Sequence, residues 1–275
     1  MLQADWSGQR LLEHACRILF VWERGYLILD DTVLPKPFAT MMEGLAWVFS
    51  SQERRPVYGF SLVLLVWTDG TLRIPLGIRL WHKGGPSKYG LALELLSFAR
   101  HRLRCHPAYV LFDAWYPSKA VRKRMRDDGW SFVCRLKKNR RCNGHAVRHH
   151  RRHPYWAESG WLTGGLKVLV VRHGAKYDAT NRLTLPAAEV RRLYRIRAQI
   201  EEVFRVCKDQ LRLSGCQARS ERAQLHHITC CLVAFCVLER ERHDRSLTIY
   251  KLKRQLSCQG RTLALPSLER LSRAA

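Results

Sequence analysis

Tyr194, Arg197, Glu201 and Lys208 bring a phenol, a carboxylate and two cations to spacings that fit one side of a helix. At about 100° of turn per residue they fall within an arc of roughly 60°. A carboxylate flanked by cations is a set suited to a metal-bound phosphodiester, the acid holding a divalent ion and the cations holding phosphates. The plainer alternative is a solvated helix face with an i, i+4 Arg–Glu pair, which contributes only about a few tenths of a kcal/mol. Further acids close apolar runs upstream: the adjacent pair Asp30 and Asp31, and Asp113.

The elements that must position these groups are readable from periodicity. Thr184 to Gly215 predicts one long helix, with Pro186 at its first helical position and Gly215 as its C-terminal stop. Val190, Leu193, Ile196, Ile200, Val203, Phe204, Cys207 and Leu211 make its buried stripe, and Glu202 lies off both that stripe and the charged row. Tyr26 to Leu29 predicts a buried strand that ends in Asp30 and Asp31. Successive strand side chains alternate faces, so only one of these two acids points at a given site. Val57 to Trp67 and Thr71 to Trp81 predict two strands joined by a turn at Thr68-Asp69-Gly70. A helix over Tyr89 to Leu103 follows, then a strand, Ala108 to Phe112, with Asp113 at its C-terminal end. Active-site acids of α/β sheets occupy that place, and so do acids that merely form turns. Ser118 to Arg126 reads as a basic helix and Ser131 to Leu136 as a fifth strand. At the ends, residues 1–24 predict one helix, Glu221 to Glu239 an apolar helix behind the charged one, and 247–275 a short basic helix with a loose tail.

The spacing Y-x2-R-x3-E-x6-K resembles the YREK signature of DDE transposases from bacterial insertion sequences, carried here by Tyr194, Arg197, Glu201 and Lys208. The element order resembles the ribonuclease-H-like catalytic domain of that family. The resemblance implies an α/β fold: a mixed sheet flanked by helices, with a β-containing insertion before the last catalytic helix. It implies Asp31, Asp113 and Glu201 as catalytic metal ligands, Asp31 being favoured over Asp30 because relatives carry a D-T pair where Asp31-Thr32 stands. Two Mg2+ ions, with Mn2+ able to substitute, would be the cofactors, as hard cations that take oxygen ligands. The implied activity is metal-dependent cleavage at transposon ends and strand transfer into target DNA by a homodimer, with Tyr194, Arg197 and Lys208 gripping phosphates. The implied organisation is a helical lead-in over 1–24, a catalytic domain over 25–136 and 182–243, an insertion over 137–181 and a basic C-terminal segment over 244–275. In relatives an insertion aromatic stacks with a displaced base. Trp156 and Trp161 are placed for that role, with Trp161 carried forward as the DNA contact, and core packing is the alternative for both.

Composition agrees with a nucleic-acid partner. Lys and Arg number 48 against 23 Asp and Glu, a formal charge of +25, and the hydrophobic content of 47% supports a core. No stretch of about 18 uncharged apolar residues exists to span a bilayer, and the first residues lack a signal pattern, so a cytoplasmic, nucleoid-associated protein is expected. The ten cysteines lack disulfide or metal spacing and read as reduced core thiols. The histidines between 145 and 153, beside Cys142, match no standard zinc spacing and lie in a basic run that reads as a phosphate-facing loop. About thirty residues precede the first acid, fewer than the helical DNA-binding region of relatives, which raises the expectation of a truncated or remnant copy. The rival readings are another ribonuclease-H-like nuclease, a non-catalytic DNA-binding remnant, and a basic RNA- or membrane-associated protein.

Overall fold

Residues 27–29, 62–67 and 110–112 are almost entirely apolar and buried, as strands covered on both faces must be. In the computed structural model, which describes residues 6–21, 24–150, 153–259 and 266–273, they are the centres of three strands of one eleven-stranded sheet. The first six strands are β1 (Tyr26–Pro35), β2 (Ala46–Ser50), β3 (Arg55–Thr68), β4 (Arg73–Trp81), β5 (Tyr109–Phe112) and β6 (Phe132–Leu136). β3 pairs antiparallel with β1 and β4, while β1, β5 and β6 run parallel. Asp69 closes the β3–β4 turn by accepting from the N–H groups of Thr71 (2.7 Å) and Leu72 (2.8 Å).

The basic stretch expected to be a strand-containing insertion adds its strands to this same sheet. β7 (Arg141–Cys142), β8 (His145–Ala146), β9 (Tyr155–Leu162), β10 (Leu166–His173) and β11 (Lys176–Thr180) follow, and β11 pairs antiparallel with β6. Trp156 is buried in this part and stacks on His150 at 5.7 Å between ring centroids. Trp161 points outward and is 57% exposed, so the core-packing alternative fails for it.

Helices cover the sheet: α1 (Gly8–Leu19), α2 (Lys88–Ser97), α3 (Lys119–Asp127), α4 (Ala187–Ile196), α5 (Ala198–Asp209), α6 (Glu221–Asp244), α7 (Ile249–Gln259) and α8 (Pro266–Arg273). The N-terminal helix is shorter than expected. Ser7 caps it and Phe20 ends it in extended backbone, while residues 1–5, 22 and 23 lie outside the described residues. α2 passes into one wider turn, Phe98–Arg102, closed by the Leu103 N–H on the Phe98 carbonyl (3.1 Å). The expected loose tail contains α8, fastened by the Ser267 N–H to Glu241 Oε1 at 2.7 Å.

The long helix is two helices. Arg197 sits between α4 and α5, where i→i+3 bonds replace the α-helical ladder: its N–H reaches the Tyr194 carbonyl at 3.1 Å, and the Ile200 N–H reaches the Arg197 carbonyl at 3.2 Å. Pro186 precedes the first helical residue and acts as the N-cap. Gly215 does not stop α5. The chain leaves the helix at Gln210 and turns through Arg212 at φ 53°, while Lys36 Nζ, almost fully buried, donates to the carbonyls of Ser214 (2.7 Å) and Cys216 (2.6 Å). α6 packs against α1 and α5.

Candidate active site

The parallel register of β1 and β5 decides which acids meet. Leu29 pairs with Phe112, so the next residue in each chain, Asp30 and Asp113, leaves the sheet on the same face. That face is covered by α5. Arg197 Nη1 donates to Asp30 Oδ2 at 2.5 Å and its Nη2 donates to Glu201 Oε1 at 2.6 Å, so one guanidinium ties the strand acid to the helix acid. Asp31 lines the cleft that these groups share, but its carboxylate is turned toward α2 and Tyr116. Lys88 Nζ at the start of α2 donates to its Oδ2 (2.5 Å), and the buried Tyr116 hydroxyl donates to its Oδ1 (2.9 Å). Asp113 Oδ1 accepts from the Trp115 N–H at 2.8 Å.

All four acids line one cleft of about 650 Å³, with Arg197 and Lys208 on the helix side and Phe49 and Ser50 of β2 opposite. Glu202 faces away toward Arg205 and Arg73. Tyr194 is half-buried, with the Arg135 guanidinium 4.2 Å above its ring. Arg135 is itself held by the fully buried Asp178 at 2.5 Å, and His173 Nε2 lies 2.8 Å from the other Asp178 oxygen. Of the expected site residues, the geometry joins Arg197, Glu201 and Asp113 through Asp30 rather than Asp31, sets Lys208 along the same cleft and places Tyr194 beside Arg197.

Burial shapes the charges. It pushes the Asp30 carboxyl up to about 7, against the opposing pull of Arg197 and with added repulsion from Asp113 and Asp31. Burial likewise raises the Asp113 carboxyl and lowers the Lys208 ammonium. Carboxylates crowded in a poorly solvated cleft, with hard oxygen donors only, fit a divalent cation. Among the described residues no three acids, histidines or cysteines already stand close enough to hold one. Glu201, whose side chain is 59% exposed, has room to turn toward the two aspartates once released from Arg197.

In metal-free protein the raised Asp30 carboxyl makes stability depend on pH. Asp30 titrates near 3.9 in an unfolded chain and about 7 here, so the folded state holds the extra proton between those values and loses stability as pH rises through that window. The stability advantage of Asp30→Asn over wild type is expected to grow by about 2 kcal/mol between pH 5 and pH 8. Melting curves at the two pH values check this, and a constant difference would refute it.

The structure adds residues that spacing alone did not single out: Lys88, Tyr116, Trp115, Arg135 and Asp178. Trp115 and Tyr116 had a signal, since they lie two and three residues after Asp113 in the chain. Lys88 and Asp178 reach the site only through the fold and had none.

A family model, described as the transposase DDE domain, matches residues 22–237 of the chain. No curated protein matches it. Among solved structures, the piggyBac transposase in a synaptic complex with hairpin DNA is similar, with a TM-score of 0.56 and 12% identity over 90% of this chain. The chain spans 56% of the length of that protein. The Mos1 strand transfer complex aligns over 47% of this chain and 44% of its own, with 21% identity and a TM-score of 0.23. The likeness to piggyBac makes the fold that of transposase catalytic domains, a ribonuclease-H-like mixed sheet flanked by helices. Among the described residues no helix is long and apolar enough to cross a membrane.

Proposed function

The chain belongs to the transposase DDE domain family, and from that premise we propose that it cleaves DNA at transposon ends and joins the ends to target DNA, with Asp30, Asp113 and Glu201 as the metal-holding acids. The observation that carries this reading is the shared face of Asp30 and Asp113 beneath an arginine that also holds Glu201. Sequence resemblance favours Asp31. The strand register favours Asp30, because Asp31 is turned toward Lys88 and Tyr116. Two Mg2+ ions, or Mn2+ in their place, are the expected cofactors; when bound they activate a water or 3′-hydroxyl and stabilise the leaving oxygen.

The chain's own residues do the rest. Arg197 neutralises Asp30 and Glu201 in the absence of substrate, and a phosphate at the cleft offers it a competing bidentate partner. Lys208, its ammonium partly desolvated, supplies a second cation along the same wall. Tyr194, braced by Arg135, flanks Arg197 and limits how far the guanidinium can swing. These contacts position the scissile phosphate without reading sequence, and the +25 charge should make binding steeply salt-dependent. A homodimer on DNA and association with the nucleoid remain expectations of the resemblance.

The test is nicking of a labelled duplex by wild type, Glu201→Gln and Glu202→Gln with and without Mg2+ or Mn2+. Cutting is expected only with metal, reduced at least about a hundredfold in Glu201→Gln and little changed in Glu202→Gln. Salt-sensitive binding with no cutting by any of the three would reduce the protein to a DNA-binding role.

A further inference from the structure

Asp178 on β11 is a carboxylate without exposed surface that takes no part in holding metal or phosphate. It stands directly across the β6–β11 pair from Arg135, whose Nε donates to its Oδ1 at 2.5 Å. Its other oxygen lies 2.8 Å from Nε2 of His173, the last residue of β10. Two strands need no charge to stay paired, and apolar side chains in place of a buried ion pair are commonly as stable or more so. Strand pairing therefore does not explain this carboxylate. The groups it orients do.

Arg135 and His173 both face a second cleft, of about 690 Å³, which meets the acid cleft at Arg197 and Glu201, residues that line both. Lys176, Arg191 and Arg195 add further cations to its walls. Among the described residues its lining has no acid besides Glu201, which Arg197 holds, and Asp178 itself. Asp178 fixes the head of Arg135, which lies 4.2 Å over the Tyr194 ring. The Arg197 guanidinium lies 5.9 Å from the centroid of that same ring. A planar guanidinium tied to a carboxylate keeps one orientation over an aromatic face, where an untethered one would slide. A continuous chain, Asp178–Arg135–Tyr194–Arg197, thus runs from the strands that follow Asp113 to the guanidinium that links Asp30 and Glu201.

We propose that Asp178 is a positioning residue for the DNA-processing role set out above, on which this inference rests. By fixing Arg135 against Tyr194 it sets the direction from which Arg197 meets a backbone phosphate. Asp178 itself is enclosed and acts only through these partners. The strands between Asp113 and Glu201 thereby influence the acid cleft through one buried carboxylate.

The test is a double-mutant cycle on the full chain. Equilibrium binding of a labelled duplex, at fixed salt and without divalent metal, is measured for wild type, Asp178→Asn, Arg197→Ala and the double variant. Single-turnover cleavage with Mg2+ at saturating DNA is measured beside it. Asparagine keeps the volume, and melting curves verify folding. Arg135→Gln breaks the same link at a partly exposed position and takes the place of Asp178→Asn in the cycle if that variant does not fold. Removing a negative charge from beside a basic cleft would by itself tighten DNA binding. Loss of positioning acts in the opposite direction. Asp178→Asn is expected to bind about fivefold more weakly and cut about tenfold more slowly than wild type, yet to lose less than about twofold in affinity when Arg197 is already alanine. Unchanged or tighter binding by Asp178→Asn overturns the proposal, as does an equal loss with and without Arg197. Wild-type cleavage alongside either of those results would leave the proposed function standing without the positioning role. Binding without cleavage by wild type, with the coupling to Arg197 intact, would remove the transposition reading and keep Asp178 as the residue that positions Arg197 on phosphate. No duplex binding by wild type overturns both.

Discussion

Asp30→Asn is expected to abolish metal-dependent DNA cleavage, at least about a hundredfold below wild type, whereas Asp31→Asn should cost about tenfold or less. The two aspartates are adjacent, so charge, composition and distance along the chain are nearly the same for both. What separates them is the direction each side chain takes from β1. Asp30 leaves on the face of Asp113 and α5, where Arg197 links it to Glu201. Asp31 borders the same cleft but spends both oxygens on Lys88 and Tyr116. Losing a metal-holding carboxylate removes transition-state stabilisation directly, while losing Asp31 acts by loosening the strand that presents Asp30. The two substitutions should also differ in binding. Asp30→Asn removes negative charge from the cleft and should bind DNA at least as tightly as wild type, so its defect appears in turnover alone. The measurement is single-turnover cleavage beside equilibrium binding at the same salt. Full activity in Asp30→Asn with loss in Asp31→Asn would reverse the assignment and restore the choice that sequence resemblance favours.

Much of the arrangement was legible before any coordinates. The apolar runs that became β1, β3, β4, β5 and β6 are continuous and flanked by turn residues, and Asp69-Gly70 marked its hairpin correctly. Helical spacing also set Glu202 away from Glu201, and it meets Arg205 and Arg73. Other features were hidden for physical reasons. β2 was missed because its outward residues, Trp47 and Phe49, are as apolar as its inward ones, so the strand shows no alternation to read. The break at Arg197 involves neither proline nor glycine, and coincides with an arginine gripped by acids from two different elements. α5 ends at a left-handed arginine instead of at the glycine that the sequence offered. The choice between Asp30 and Asp31 required the register of two strands about eighty residues apart, a quantity no single-chain pattern contains.

Glu239→Gln should destabilise the protein by about 3–5 kcal/mol, seen as a fall in melting temperature of roughly 10 °C. Glu239 is fully buried in α6 and accepts from the Arg73 backbone N–H, Nε and Nη2, each at 2.9 Å. Arg242 adds bonds from Nε at 2.8 Å and Nη2 at 2.6 Å. Replacing the carboxylate with an amide keeps the volume, turns an acceptor into a donor and leaves the buried Arg73 guanidinium uncompensated. The consequence reaches the site. Arg73 opens β4 and its Nη1 lies 3.9 Å from Glu202 on α5, next to the residue that must face Asp30 and Asp113. Weakening this clamp should therefore lower cleavage activity at temperatures where the protein is still folded. The double substitution Arg73→Met/Glu239→Leu removes both charges, and Arg242, near the surface, retains the Thr71 carbonyl and water. It is expected to recover most of the lost melting temperature, since exchanging a buried ion pair for apolar side chains is commonly neutral or stabilising, whereas breaking one is not. A Glu239→Gln protein within about 1 kcal/mol of wild type would show that the pair contributes little. A double variant as unstable as the single one would show that the clamp works through packing at this corner and not through its charges.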